Sequence, residues 1–222
     1  MLDPSILREY DIRGVVGQSL TEEGVREVGR AFGTLVLRSG GRSVAVGYDG
    51  RLSSPALEAM LVAGLVSTGV LVHRIGLGPT PMLYFATHHL GAGGGMMITG
   101  SHNPPEYNGI KMVLAGKSFY GEAIQQLGRM VAAGDYASGE GSVEKVDVAD
   151  VYIDRLVRDL PAGRPLNIAW DPGNGAAGAV LRKLCERLPG RHVVINEAVD
   201  GTFPAHHPDP TVEENLDDLK AC

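Results

Sequence analysis

"SVAVGYDGRLSSPALEAMLVAGLVSTGVLVHRIG", residues 43–76, decides the fold. It opens as a short, apolar, β-branched run that ends in a turn at Asp49-Gly50. Ser54 and Pro55 then introduce an apolar segment of helical length, serine as N-cap and proline at the first helical position. "VLVHRI" (70–75) follows as a second strand. Strand, helix, strand is the unit from which layered α/β domains with largely parallel sheets are built.

The same rhythm extends in both directions. Thr80-Pro81 repeats the cap-and-proline device before "MLYFATHHLG", and "GGMMIT" (94–99) is a third strand. Upstream, Thr21 caps a helix over residues 22–38, with Glu22 and Glu23 in the first turn where the helix dipole favours anions. Downstream, "NGIKMVLAG" (108–116) reads as a strand and "FYGEAIQQLGRMVAAG" (119–134) as a helix. "GDYASGEGSVEKVDV" (134–148) breaks the pattern and reads as a linker. The alternation then restarts, with a helix near 149–160, a strand at 166–171, a helix at 176–188 and a strand at 192–197. The expectation is a layered α/β/α domain with a mostly parallel mixed sheet over residues 1–147. Residues 148–222 read as the incomplete start of a second, similar domain, with only two strands and a proline- and acid-rich tail.

Composition narrows the function. The net charge of −6 and the 5% aromatic content argue against a nucleic-acid binder, which needs a basic face and stacking rings. No apolar stretch is long and charge-free enough to span a membrane. Two cysteines, Cys185 and Cys222, make no disulfide framework, so a reducing, cytoplasmic setting is expected. The 31 glycines, free of low-complexity repeats, point to many tight turns where backbone meets helix starts or ligand.

Ligands of open α/β sheets bind beyond the carboxyl ends of the strands. Three polar loops fall there: Asp49-Gly50-Arg51, Thr99 to Asn108, and Asp171-Pro172-Gly173-Asn174-Gly175. In the second, Gly100 and Pro104-Pro105 stiffen the chain around Ser101. Ser101 and Asn103 either close a turn through side-chain to backbone bonds or present a hydroxyl for chemistry. A Ser-His pair is disfavoured on the expectation that neighbours in an extended chain point to opposite sides, which would separate Ser101 from His102. A phosphate carrier, with cations sharing its charge, is the better chemical use of such a serine. Lys111 and Arg13 are candidate phosphate partners; the plainer alternatives are a surface lysine and an ion pair of Arg13 with Asp11 or Glu9. Arg51 divides the same way, between phosphate contact and a local pair with Asp49. The amides of "PGNG", between strand and helix, are placed where they could hold an anion. The histidine pairs 88–89 and 206–207 lack zinc-site spacing.

Taken in order, "EYDIRG", "VGYDGRLSSP", "TGSHNPPEYNGIK" and "DPGNGAAG" resemble the α-D-phosphohexomutase family, and within it the bacterial phosphomannomutase/phosphoglucomutase branch. "GTFPAHHPDPTVEENL" extends the likeness through the tail. The resemblance implies that Ser101 is the phosphoserine, exchanging its phosphoryl group with either end of a hexose phosphate through a glucose or mannose 1,6-bisphosphate intermediate. It implies that Arg13 and Lys111 assist proton transfer beside it and that His102 belongs to the same active loop. It places Tyr10, Asn103 and Arg51 among the residues that hold substrate and phosphate. It also implies Mg²⁺, bound by the phosphoserine and a "DGDGDR"-type loop.

No such loop occurs in these residues, nor does the family's sugar-selecting glutamate-serine loop. The expectation is therefore a fragment that works only with the C-terminal domains of a longer parent. A stand-alone phosphosugar-binding or regulatory module is the alternative, and a serine-dependent phosphatase a third reading.

Overall fold

A computed structural model describes residues 2–160 and 164–222. Five strands and three helices follow the alternation expected from the sequence: β1 (Ile12–Val15), α1 (Glu22–Arg38), β2 (Ser43–Tyr48), α2 (Ser54–Val66), β3 (Leu71–Leu77), α3 (Thr80–His89), β4 (Gly94–Ile98) and β5 (Tyr107–Leu114). The short β6 (Lys117–Ser118), α4 (Glu122–Ala133) and β7 (Ser142–Lys145) complete the first unit. The sheet order is β1-β5-β4-β2-β3-β7, with β6 beside β5. β4, β2, β3 and β7 pair in parallel, and β5 is antiparallel to each of its neighbours, so it alone runs against the rest.

Strand alternation sends Val44, Val46, Met96, Ile98 and Ile110 to one face, where α1, α2 and α4 cover them with Phe32, Leu61 and Ile124. Ala45 and Met97 point to the other face, under Leu83 and Ala86 of α3. Two layers of helix thus sandwich the sheet, as expected for this class. α1 and α2 meet at glycines: a Cβ on Gly64 would stand 2.1 Å from the Arg26 carbonyl oxygen, and one on Gly29 2.5 Å from that of Leu61. Gly64→Ala should therefore force the helices apart and cost about 1–3 kcal/mol of stability, read from urea denaturation.

Three local expectations are corrected. Residues 134–148 are not a plain linker, because β7 adds to the sheet edge in parallel with β3, and His73 Nδ1 lies 2.6 Å from Glu144 Oε1 across the pair. All four β7 residues are exposed, so no apolar period marked the strand. Ser54 is not the N-cap of α2 but lies inside it, its hydroxyl donating to Asp49 Oδ1 at 2.6 Å. Thr80 likewise begins α3 behind Pro79 and makes no cap bond. Thr21 does cap α1, accepting from the Gly24 N–H at 3.1 Å.

Beyond β7 come α5 (Ala149–Arg158), β8 (Leu166–Trp170), α6 (Gly178–Cys185) and β9 (Gly190–Val194), with β8 and β9 forming a two-stranded parallel sheet. This second unit leans on the first. Val148, Tyr152 and Ile153 with Val180 join Ile75, Met82 and Met97 in one apolar cluster. Among the described residues no helix is long and apolar enough to cross a membrane.

Candidate active site

The loop between β4 and β5 is built from below by one buried arginine. Arg51 is 1% exposed, and its guanidinium donates to four carbonyls of the loop: Pro104 at 2.7 Å, Tyr107 at 3.1 Å, Ser101 at 3.0 Å and Asn103 at 2.6 Å. Arg51 is therefore not a phosphate contact, contrary to the assignment made from sequence: its terminal donors are spent on backbone and it has no face toward solvent. Its Nε lies 3.4 Å from Asp49 Oδ2, an ion-pair distance without hydrogen-bond alignment. Burial pulls the Arg51 pKa below its ordinary value, and the Asp49 charge opposes that shift. Asp49 also accepts from the Arg51 and Gly100 amides, at 3.1 and 3.0 Å. Gly100 is required here, since a Cβ would stand 2.2 Å from Arg51 Nε.

On this base the chain turns sharply. The Ser101 N–H donates to Thr99 Oγ1 at 3.0 Å, and the Asn103 N–H and Nδ2 both donate to the Gly100 carbonyl at 3.1 Å. Ser101 itself sits at φ +54°, in the left-handed region that non-glycine residues enter only at a cost. That conformation overturns the expectation that Ser101 and His102 diverge: the chain is not extended there, and Ser101 Oγ lies 3.2 Å from His102 Nδ1.

The cations arrive from the sheet. In β1 and β5, Ile12, Ile110 and Met112 point into the core, so the alternating Arg13 and Lys111 share the opposite face. Arg13 Nη1 donates to the Gly100 carbonyl at 3.2 Å, and Arg13 Nη2 and Lys111 Nζ converge on Asp11 Oδ2, the lysine at 3.2 Å. Tyr10, Asp11, Arg13, Ser101, His102, Asn103 and Lys111 line one open cavity of about 710 Å³, together with Arg8, Glu9 and Tyr107. Tyr10 is 73% exposed, and its ring lies 6.5 Å from that of Tyr120. Asn103 faces this cavity while it closes the turn.

Two residues escaped the sequence reading. In the sequence Asp11 offers itself only as an ion-pair partner for Arg13, and its spacing two residues before that arginine is the signal for it. Asn108 is fully buried and donates to Ser53 Oγ and Ser54 Oγ at 2.9 Å, tying the loop's end to the start of α2; the sequence includes it in the loop motif but does not signal its burial.

The "PGNG" loop does not offer free amides. The Gly173 N–H donates to Asp171 Oδ1 at 2.8 Å, that of Asn174 to the Asn196 carbonyl at 2.9 Å and that of Gly175 to Pro172 at 2.8 Å. The tail seals it: His206 Nε2 lies 3.0 Å from Asp171 Oδ2, and the Phe203 ring covers the Arg51 guanidinium with its centroid 5.2 Å away. The His206 pKa is raised above its ordinary 6.5, first by its bond to the His207 carbonyl and then by Asp171, against an opposing desolvation. A raised histidine stabilises the fold fully below about pH 6.5, and that contribution is lost as pH rises through the folded value. His206→Gln should therefore destabilise the chain most in mildly acidic buffer and least in alkaline buffer, read as a urea midpoint across pH.

Mg²⁺ was assigned to Ser101 as phosphoserine. Asp11 and Asp49 are committed to cations and amides, and among the described residues no three His, Cys, Asp or Glu side chains group as metal ligands. The residues of this chain do not fit a Mg²⁺ site on their own.

Residues 4–137 match the family described as phosphoglucomutase/phosphomannomutase, alpha/beta/alpha domain I, and residues 150–222 match its alpha/beta/alpha domain II. A phosphomannomutase/phosphoglucomutase of Pseudomonas aeruginosa is 47% identical over 220 residues, covering 99% of this chain and 48% of the relative. A phosphoglucomutase of Neisseria gonorrhoeae is 45% identical over 219 residues, 98% of this chain and 48% of its own. The crystal structure of a phosphoglucomutase/phosphomannomutase family protein from Burkholderia thailandensis superposes with a TM-score of 0.94 at 44% identity, covering 100% of this chain and 50% of that one. The chain spans about half the length of the curated relatives it matches.

Proposed function

The chain belongs to the phosphoglucomutase/phosphomannomutase family, and from that premise we propose that Ser101 carries a phosphoryl group and exchanges it with the C1 and C6 hydroxyls of a glucose or mannose phosphate. The observation that carries this reading is the Ser101 hydroxyl, exposed on a braced left-handed corner and lining one cavity with Arg13 and Lys111. Phosphoryl transfer needs positioning and neutralised charge more than covalent help. A sugar hydroxyl attacks the phosphorus and loses its proton to solvent in the open cavity, the bond from phosphorus to Oγ breaks, and Oγ leaves as the serine oxygen. Arg13 and Lys111 face the phosphoryl oxygens with positive charge. His102 Nδ1, within reach of Oγ, supplies the proton that the departing oxygen needs and takes it back when Ser101 is charged again. Tyr10 and Asn103 line the space where the sugar phosphate enters.

In this reading residues 1–147 are the phosphoserine domain and 148–222 the opening of the next. The sugar-selecting groups, and the carboxylates that would hold Mg²⁺, belong to the additional length that the relatives have. When bound, that ion adds to the charge neutralisation at the phosphoryl group. The setting is a cytoplasmic enzyme of hexose phosphate metabolism, an isomerase by net reaction.

The test is to complete the chain with the C-terminal half of a full-length relative, incubate it with glucose 1,6-bisphosphate in Mg²⁺ buffer and map phosphate by mass spectrometry. One phosphoryl group on the Ser101 peptide, with one equivalent of glucose monophosphate released, is the expected result. Saturable sugar-phosphate binding with Ser101 left bare would make the chain a binding module instead.

A further inference from the structure

Arg13 and Lys111 carry long, flexible side chains that, unrestrained, would sample many rotamers in an open cavity. One carboxylate holds both. Asp11 is 8% exposed, and its Oδ2 accepts from Arg13 Nη2 and from Lys111 Nζ, the latter at 3.2 Å. The backbone that carries it is held as well, because the Asp11 carbonyl accepts the Arg8 N–H at 3.0 Å. Arg13 completes the chain of contacts, its Nη1 reaching the Gly100 carbonyl at 3.2 Å, one residue before the serine. A carboxylate is expensive to bury unless it is paired. Here it meets two cations, and the trio keeps one net positive charge in the cavity with Ser101.

We propose that Asp11 is the positioning residue of the transfer site: it fixes Arg13 and Lys111 at a set spacing beside Ser101 before any phosphate arrives. Asp11 does not touch the reacting atoms. It acts by removing the freedom that the two cations would otherwise lose in each transfer. A misplacement of about 1 Å at such groups costs on the order of 100-fold in rate. The inference rests on the reading of Ser101 as phosphoryl carrier.

The test is single-turnover phosphorylation of Ser101 by glucose 1,6-bisphosphate in the chain completed with the C-terminal half of a full-length relative, followed in wild-type protein, Asp11→Asn and Asp11→Glu. Positioning predicts that Asp11→Asn lowers the rate constant about 10- to 100-fold while the half-saturating concentration and the final phosphorylated fraction stay near wild type. Asp11→Glu, which keeps the charge but moves it by one methylene, should fall between the two. A merely structural role would reduce the final fraction and leave the rate constant of the folded molecules unchanged, which overturns the proposal. Wild-type rates in Asp11→Asn overturn it as well. If Asp11→Asn does not fold, wild-type rates in Asp11→Glu would have the same force. A wild-type protein that never takes phosphate would sink the reading of Ser101 instead, so the two failures are told apart.

Discussion

Ser101→Gly is expected to abolish phosphoryl acceptance and, at the same time, to yield a protein more stable than Ser101→Ala. The two consequences have separate origins. The hydroxyl is the group lost that could carry phosphate, and among the described residues its side-chain hydrogen-bond partner is His102 Nδ1 at 3.2 Å, at the exposed rim. The backbone at residue 101 sits at φ +54°, which costs an L-residue roughly 1–2 kcal/mol and glycine almost nothing. Part of that relief is returned through the larger entropy of glycine in the unfolded chain. The net difference between the two variants should be about 0.5–1 kcal/mol in favour of glycine, read from urea denaturation of both. A serine kept at this corner against its own backbone preference is what a functional constraint would leave behind. Equal stability of the two variants would mean that the corner is not strained.

Arg51→Ala is expected to produce the largest loss of stability of any single change near the loop. The side chain is fully enclosed, and its removal strands four carbonyls, leaves Asp49 without its cation and empties the space beneath Gly100. Breaking a buried, hydrogen-bonded charge pair from one side costs about 3–5 kcal/mol. Phe203, whose ring lies over the same guanidinium, would lose its partner too, so the tail should loosen together with the serine loop. Arg51→Lys keeps the charge but cannot reproduce the planar fork that reaches four acceptors, and it should recover only part of the loss. Urea denaturation gives the stability, and hydrogen exchange at residues 100–108 gives the loop. Arg51→Ala with wild-type exchange there would show that the loop stands without its buttress.

The layered α/β/α plan was legible because its central strands announce themselves. Ser43–Tyr48 and Gly94–Ile98 are short apolar runs closed by turn residues, and the helices between them have a recognisable length. Strand direction was less accessible. Nothing local in Tyr107–Leu114 says that it runs against its neighbours; that follows from the compact loop that returns it beside β4. β7 was missed because an edge strand with four exposed residues carries no burial pattern to read.

At the site, residue types were easier to read than their surroundings. Ser101, Arg13 and Lys111 were singled out by chemistry, and the structure brings them to one cavity. Arg51 was given a ligand because an arginine beside a strand end suits phosphate, whereas its depth beneath the loop depends on packing from residues about fifty positions away. The separation expected between Ser101 and His102 assumed extended backbone, and a single positive φ reversed it. The amides of "PGNG" looked available until Asp171, Asn196 and the tail were folded onto them. For Arg51 and Asn174 the missing information was a long-range contact, and for Ser101 it was one local dihedral angle.

The central claim is that phosphate on Ser101 is in transit to a sugar. The most direct measurement is the fate of the phosphorylated chain, completed with the C-terminal half of a full-length relative and followed by intact-mass spectrometry in buffer alone and after addition of glucose 6-phosphate or mannose 6-phosphate. The account predicts a phosphoserine that persists in buffer and discharges when the hexose monophosphate is added, with hexose 1,6-bisphosphate appearing in equal amount. Loss of phosphate to water at the same rate with and without sugar would contradict it and make the serine that of a phosphatase.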